Sequence, residues 1–289
     1  MPDSTHKTVS ASQVAALFNI SRWSSRWMLY QNFARGMDWT TEPNDRMKAG
    51  LYFQSAILRW AGDELGFTIT EHAEQTLLRH PGNVPLSATK DASMQHPVWG
   101  PGLCEAKLVL YSVWKERWTD TVADPEVVMQ VQAQLAVEPH LKWARIACYR
   151  EPGGLVVYDI QRNEALIADI EKAAEGFMQS VSQGIEPPVE GLEAELPSII
   201  ALYPETKENT VLTVSDPEQS ARFDEECDRF ESAGEERLVS AKLEGGAKAY
   251  IYGTAKDYNV VQSQYHTVYM RVDKNGKRLT PKIIQQENW

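Results

Sequence analysis

The apolar run GLCEAKLVLYSVW, residues 102–114, constrains the fold of this chain more than any other stretch. It carries one acidic and one basic residue two positions apart, Glu105 and Lys107. Because alternate residues of a β-strand face the same side, these two side chains should point together, while Cys104 points the other way into the core. The run therefore predicts a buried strand with a charged pair on one face.

A second carboxylate can reach this pair. Asp91 stands upstream in the segment ATKDA, and a hairpin would bring it beside Glu105. Two carboxylates at close range repel each other unless a cation lies between them, and hard oxygen ligands suit Mg²⁺ or Mn²⁺. With Lys107 alongside, such a site suits phosphodiester hydrolysis. The alternative is that Glu-x-Lys is an ordinary solvated strand face.

The hydrophobic pattern predicts an α/β fold in which a mixed sheet is flanked by helices. Helical spacing covers residues 10–36 (with an interruption near NISRWSS), 44–66, 123–138 and 164–184, and strand-like segments lie between them. We expect residues 1–189 to form this core. Residues 190–289 read as an accessory region, a charged helix or helical pair followed by a β-hairpin with a KNG turn.

Charge is distributed unevenly along the chain. The formal net charge is −11, yet residues 151–250 hold 8 Lys and Arg against 22 Asp and Glu. An acidic protein does not favour nucleic-acid binding as a whole, because such binding depends on phosphate neutralisation. The excess of acidic residues lies outside the first half of the chain, so a DNA-binding face in that half stays possible.

The three cysteines are few and widely spaced, which argues against a disulfide framework and a zinc site and favours a reducing cytosol. No stretch approaches the ~18 consecutive apolar residues that a membrane span needs. We therefore expect a cytoplasmic protein, of a bacterium or a phage-infected host, with no membrane partner.

Several motifs together resemble the PD-(D/E)XK nucleases, and more narrowly the YqaJ-like viral recombinase family related to phage lambda exonuclease. The resemblance covers residues 7–185 and rests on five short stretches in order. These are SASQVAALF near the start, GLYFQ (50–54), ATKDA (88–92), GLCEAKL (102–108) and QVQAQLAV (130–137). The segment WARIACYRE then resembles the last core strand of the family.

The resemblance implies a role for each matching residue. Asp91, Glu105 and the main-chain carbonyl of Ala106 would bind one or two Mg²⁺ (or Mn²⁺) ions. Lys107 would orient the attacking water, and Gln132 would hold Lys107 or that water.

The resemblance also implies DNA contacts near the start of the chain. Ser12, with Ser10, would contact a DNA phosphate at the start of the first helix. The arginine that often binds a 5′ phosphate in the family has no clear counterpart here, and Lys7 is among the nearest candidates.

Two departures from the family pattern affect the metal site. The acid expected on the second helix is Gln54, whose neutral oxygen would hold a second metal more weakly. A lysine, Lys90, replaces the proline that precedes the aspartate, so the turn there is less rigid.

Arg22 and Arg26 lie near tryptophans and could contact phosphate groups beside bases stacked on the rings. The alternative is a helix with tryptophans in the core and arginines reaching outward.

The resemblance implies a Mg²⁺-dependent exonuclease that resects linear double-stranded DNA 5′→3′ for phage-type recombination. Its partners would be DNA ends and a single-strand annealing protein, and its subunits could form a ring such as a trimer. Two alternatives remain: a DNA-binding or assembly protein with an attenuated nuclease fold, and a structure-selective endonuclease.

Overall fold

The computed structural model describes residues 7–37, 44–65, 69–71, 76–233, 240–274 and 278–285. The chain forms two compact units. Unit 1 comprises Met1–Ser21 and Thr40–Ile185, and unit 2 comprises Arg22–Trp39 and Glu186–Trp289. The sequence-based boundary at residue 190 lies close to the second junction, whereas residues 22–39 were expected in the core region and belong to unit 2.

Unit 1 contains eight strands and five helices among its described residues. The strands are β1 (Val9–Ser10), β2 (Ile69–Glu71), β3 (Leu78–Arg79), β4 (Leu86–Ala88), β5 (Ala92–His96), β6 (Gly100–Leu110), β7 (Trp143–Glu151) and β8 (Gly154–Gln161). The helices are α1 (Val14–Leu17), α3 (Asp45–Leu65), α4 (Tyr111–Arg117), α5 (Pro125–Val137) and α6 (Glu164–Gln183). A 3-10 turn at Ala11–Gln13 precedes α1.

The main sheet of unit 1 has five strands in the order β2-β5-β6-β7-β8. Strand β6 lies in its centre, antiparallel to β5 and parallel to β7, and the remaining pairs are antiparallel. A smaller sheet has the order β1-β4-β3. The expected α/β class, a mixed sheet flanked by helices, is confirmed.

Helix α3 covers one face of the main sheet. Its apolar residues Ile57, Leu58 and Ala61 pack with Cys104 of β6 and Trp143 of β7. Since side chains alternate along a strand, the residues of β6 next to Cys104 face the other side, toward α5. Glu105 therefore lies on the α5 side of the sheet.

The interruption expected within residues 10–36 is a complete break into two helices that belong to different units. After α1, Asn19 adopts a left-handed conformation with φ of 54°. Ser25 then begins α2 (Arg26–Arg35) by accepting a hydrogen bond from the amide of Met28. Serine at this position satisfies an amide that the first helical turn leaves unpaired, so the sequence starts a new helix there.

Unit 2 contains α2, three further helices and a four-stranded sheet. They are α7 (Leu196–Leu202), α8 (Pro217–Ala233), α9 (Ser240–Ala255), β9 (Lys207–Thr213), β10 (Tyr258–Gln262), β11 (His266–Val272) and β12 (Arg278–Gln285). The sheet order is β12-β11-β10-β9, with β9 and β10 parallel. Strands β11 and β12 pair antiparallel, and the predicted turn at 274–276 lies partly outside the described residues.

The core of unit 2 depends on side chains from both of its chain segments. Trp27 and Met28 of α2 pack in one buried cluster with Phe223 of α8 and Ile251 of α9. Trp27 is 1% exposed, and its indole N–H donates a hydrogen bond to Glu186 at 2.9 Å. The interpretation of Trp27 as a core residue is confirmed, whereas Trp23 is 68% exposed.

Among the helices of the described residues, none combines the length and the apolar character that crossing a bilayer requires.

We predict that Gly102→Ala destabilises unit 1. A Cβ at Gly102 would lie 2.6 Å from Cε2 of Trp143, a side chain that is 1% exposed. Overpacking of this kind lowers the free energy of unfolding by about 1–3 kcal/mol. Urea denaturation followed by circular dichroism measures the change.

Gly176→Ala is the matched control. Gly176 lies on the exposed face of α6, and a Cβ there would meet no atom within 4 Å. Alanine should raise stability by about 0.5–1 kcal/mol, because glycine carries an entropic penalty inside a helix. Equal effects of the two substitutions would contradict the proposed clash.

Candidate active site

Strand β6 presents Glu105 and Lys107 on the same face, as its alternating pattern predicts. The ammonium nitrogen of Lys107 lies 2.6 Å from Oε1 of Glu105, and the pair is joined by a charge-assisted hydrogen bond. Glu105 is 3% exposed. A carboxylate this deeply buried needs several donors, because leaving it without them would cost several kcal/mol.

Helix α5 supplies two of those donors. Gln130 donates from Nε2 to Oε1 of Glu105 at 2.7 Å, and its own Oε1 accepts from Lys107 at 3.1 Å. Gln134 donates from Nε2 to Oε2 of Glu105 at 2.7 Å. The two glutamines are four residues apart, so they lie on one side of the helix. Both carboxylate oxygens of Glu105 are thus hydrogen-bonded.

The prediction that Gln132 holds Lys107 is wrong. The Nε2 of Gln132 donates to the carbonyl of Gln161 at 2.7 Å, and its Oε1 accepts from the amide of Asn163 at 3.0 Å. With 3.6 residues per turn, position 132 faces away from positions 130 and 134. Gln132 fastens α5 to the end of β8, and the spacing of four within QVQAQ was the signal that could have identified Gln130 and Gln134.

Asp91 is attached to the same strand, immediately before β5 begins. Its Oδ2 accepts a hydrogen bond from the amide of Ala106 at 2.9 Å. In an extended strand the N–H and C=O of one residue point to the same side, so the carbonyl of Ala106 is directed toward Asp91 as well. This brings Asp91 to the middle of β6, next to Glu105 along the strand.

The turn that carries Asp91 is fixed by α5. Lys90 pairs with Glu138, the residue that ends α5, at 2.6 Å, and both side chains are largely buried. The carbonyl of Thr89 accepts a second hydrogen bond from Gln134. The side-chain contact of Lys90 thus fixes the turn at the position where the family resemblance expects a proline.

Three carboxylates influence the charge of Lys107. Burial acts to lower the pKa of Lys107, but the negative charges of Glu105, Asp91 and Glu126 and the hydrogen bond with Glu105 outweigh burial and raise it. The stability that follows from the raised pKa of Lys107 is therefore present at neutral pH, and it is lost as the pH rises through the pKa of the folded state. Lys107 stays a cation at neutral pH.

Glu126 was not singled out by the sequence. It lies in the first turn of α5, one turn before Gln130 on the same side, where Ser21 donates a hydrogen bond to its Oε1 at 2.7 Å. Arg117 approaches its Oε2 at 3.8 Å. Residues 126, 130 and 134 together form the polar side of a helix that is otherwise largely buried.

The donor set on this face suits a hard divalent cation. Asp91, Glu105 and the carbonyl directed toward Asp91 are all oxygen donors, which Mg²⁺ and Mn²⁺ prefer. Helix α3, which carries Gln54, packs on the opposite face of the sheet. Within the described residues, the amide of Gln54 forms no hydrogen bond with either carboxylate. Gln54 as a ligand stays a prediction.

Cys104 points away from the charged face into the core, as expected from alternation. It is fully buried, and burial followed by the charge of Glu105 raises the pKa of its thiol to about 12. The thiolate is the nucleophilic form of cysteine. Cys104 is therefore inert at neutral pH.

The residues predicted to contact DNA lie in both units. In unit 1, Ser10 and Ser12 lie at the 3-10 turn with their hydroxyl oxygens 3.0 Å apart, and Lys7 is half-buried just before β1. In unit 2, Arg22 lies over the ring of Trp23, and Arg26 opens α2. Their roles in substrate binding stay predictions.

Comparison with known proteins yields partial likenesses to solved structures. No protein-family model matches the sequence, and no curated protein sequence matches it. The structure is similar to an alkaline exonuclease from Laribacter hongkongensis, with a TM-score of 0.48, 22% identity, and coverage of 63% of this chain and 92% of the other. The same enzyme in complex with dAMP gives a TM-score of 0.49, 21% identity, and coverage of 63% and 91%.

A phage-related exonuclease from Haemophilus somnus 129PT is similar at a TM-score of 0.47 and 12% identity, covering 62% of this chain and 96% of the other. All three TM-scores lie below 0.5.

We predict that Gln130→Leu weakens Mn²⁺ binding by about 10–100-fold. Gln130 is bonded to both Glu105 and Lys107, and losing a group that orients a ligand carboxylate typically costs that much. Electron paramagnetic resonance measures free Mn²⁺ during a titration of the full-length chain.

Gln132→Leu on the same helix is the control. It removes one hydrogen bond to Gln161 at the end of β8 and one from Asn163 at the start of α6, and it should lower stability while Mn²⁺ affinity stays at the wild-type value. If Gln132→Leu weakens Mn²⁺ binding as much as Gln130→Leu, the assignment of Gln130 to the site is wrong.

Proposed function

We propose that unit 1 is a metal-dependent deoxyribonuclease, a 5′→3′ exonuclease that resects linear double-stranded DNA for phage-type recombination. The observation that carries the proposal is the arrangement on β6. The Glu105–Lys107 pair is held by two glutamines of α5, with Asp91 bound to the same strand at Ala106. Two acids and a lysine held together at one strand are what metal-dependent phosphodiester hydrolysis needs.

Each side chain has a distinct task in this proposal. Asp91, Glu105 and the carbonyl of Ala106 would hold Mg²⁺ or Mn²⁺, which polarises a phosphate and lowers the pKa of a bound water. Lys107, which stays charged at neutral pH, cannot take a proton from water. Its ammonium group donates a hydrogen bond that orients the water, and it stabilises the negative charge that develops on the phosphate. Gln130 and Gln134 keep Glu105 in place while the substrate enters.

The direction of digestion and the partners follow from the motif resemblance. Ser12 and Ser10, with Lys7, would contact the phosphate of a DNA end. Arg22 and Arg26 would contact the backbone. An annealing protein would take the strand that is left, and a ring of subunits, such as a trimer, would keep the enzyme on its substrate. The free and buried cysteines Cys104, Cys148 and Cys227 suit a reducing cytosol.

We predict that the wild-type chain degrades linear duplex DNA with Mg²⁺, and that Asp91→Asn and Lys107→Met each lower the rate by about 10²–10³-fold or more. Asp91→Asn removes a metal ligand, and Lys107→Met removes the positive charge that stabilises the transition state. Gel assays of a labelled duplex measure the rate, and circular dichroism checks folding.

Asp169→Asn and Lys172→Met are the matched controls for this assay. Both residues are exposed on α6 and lie far from the site in the sequence. The substitutions make the same changes in charge as those at Asp91 and Lys107. They should leave the rate unchanged. A wild-type chain that folds and binds Mn²⁺ but cuts no DNA would contradict the nuclease proposal.

We predict that a 5′-terminal label is released before a 3′-terminal label, and that covalently closed circular DNA is not cut. Digestion from 5′ ends removes the terminal nucleotide first, and a closed circle offers no end. Denaturing gels over a time course resolve both. Cutting of the closed circle would instead support a structure-selective endonuclease.

A second candidate function, a DNA-binding or assembly protein with an attenuated nuclease fold, is favoured by Gln54. This residue supplies no charge, and helix α3 packs on the face opposite to Glu105. DNA binding by the wild-type chain without cleavage under Mg²⁺ or Mn²⁺ would support it.

A further inference from the structure

A second cluster of metal-ligating side chains lies in unit 2, between α8 and the start of β11. Its centre is His266, whose side chain is 2% exposed. The Nδ1 of His266 lies 3.0 Å from Oδ1 of Asp224, which is also buried. Ser263 donates a further hydrogen bond to the same carboxylate oxygen. This arrangement fixes the ring and makes Nδ1 the nitrogen that carries the proton.

The other ring nitrogen points at two acidic residues of α8. Nε2 of His266 lies 3.1 Å from Oδ1 of Asp228, and one ligand atom each from His266, Asp228 and Glu231 lie within 4.8 Å of one another. Yet Nε2 is buried and has no hydrogen-bond partner in the described part of the chain. A buried nitrogen in this state costs free energy unless a further group binds it.

The contact between His266 and Asp228 is close but is not an aligned hydrogen bond. With Nδ1 directed at Asp224, the ring aims Nε2 into the space that the carboxylates of Asp228 and Glu231 border.

We propose that Nε2 of His266 and the carboxylates of Asp228 and Glu231 bind a divalent transition-metal ion of the zinc class. Ligands of a tetrahedral ion at about 2.0–2.2 Å lie about 3.4 Å from one another, close to the observed separation of Nε2 and Oδ1. An imidazole ligand favours Zn²⁺, Co²⁺ and similar ions over Mg²⁺ and Ca²⁺.

The surroundings match those of known metal-bound histidines. Such a histidine usually gives its second N–H to a carboxylate, which orients the ring and raises its basicity, and Asp224 takes that place here. Asp228 and Glu231 are three residues apart and lie side by side on α8. Both are exposed, so a fourth position stays open to solvent.

A bound ion would join α8 to the sheet of unit 2. His266 is the first residue of β11, whereas the two carboxylates belong to the second half of α8. An ion that binds only the folded chain stabilises it in proportion to the logarithm of its concentration. The site is therefore structural or regulatory, and it is independent of the nuclease proposal for unit 1.

The test uses Co²⁺ and Zn²⁺ as probes on the full-length chain. Asp91→Asn serves as the background, so that the site of unit 1 contributes little. Visible absorption of Co²⁺ should show a saturable band with one ion per chain, and Zn²⁺ should displace it. Asp228→Asn with Glu231→Gln should weaken both ions by about 100-fold or more, and Asp224→Asn should weaken them by about 10–100-fold.

Glu218→Gln with Glu225→Gln is the matched control. Both residues are exposed acids of α8, and their loss changes the helix charge by the same amount without touching the cluster. It should leave Co²⁺ affinity unchanged. Because Asp228 and Glu231 are exposed, the double variant folds, and a melting curve verifies this.

Two results would overturn the proposal. The first is a wild-type background that shows no saturable Co²⁺ band. The second is a band that survives in the Asp228→Asn, Glu231→Gln variant. Neither result bears on DNA cleavage, which is measured with Mg²⁺ at the other unit.

Discussion

The buried carboxylate of Glu105 is the constraint on which the site of unit 1 depends. An uncompensated charge at that depth would cost several kcal/mol, so the fold surrounds it with one cation and two amides. Lys107 comes from the same strand, whereas Gln130 and Gln134 come from α5. The packing of α5 on the sheet therefore also determines the geometry of the site.

The same interaction explains how Asp91 is positioned. Gln134 bonds both Glu105 and the carbonyl of Thr89, and Lys90 pairs with the end of α5. The turn before β5 is thus positioned by its contacts with α5 and does not depend on a rigid residue. Lysine in place of proline is tolerated because a side-chain contact replaces the lost backbone restraint.

Unit 2 treats a buried acid differently. Asp224 is held by hydrogen bonds with Ser263 and His266. A lysine next to a carboxylate remains a cation at neutral pH, whereas a histidine can keep one nitrogen free for a ligand. The difference explains why one cluster suits phosphate chemistry and the other suits a metal of the zinc class.

The sequence predicted those parts of the structure that depend on local periodicity. Alternation in β6 placed Glu105 with Lys107 and turned Cys104 away, and α3, α5 and α6 begin and end close to their expected residues. The role that the family resemblance implied for Gln132 is wrong, because positions 130 and 134, four apart on α5, share the side that faces Glu105 and position 132 does not. The contact of Lys90 with Glu138 spans 48 positions and that of His266 with Asp224 spans 42, and local patterns carry no information about such pairs.

The interleaving of the two units in the sequence limits where this chain can be divided. Trp27 and Met28 enter the core of unit 2 from a segment that stands early in the chain, between two parts of unit 1. No single break in the polypeptide separates the units. A fragment that stops before Glu186 would expose a tryptophan that has lost its neighbours, and the remaining piece would have a hole where that ring belongs. A truncation near residue 186 therefore separates Trp27 and Met28 from the rest of the core of unit 2.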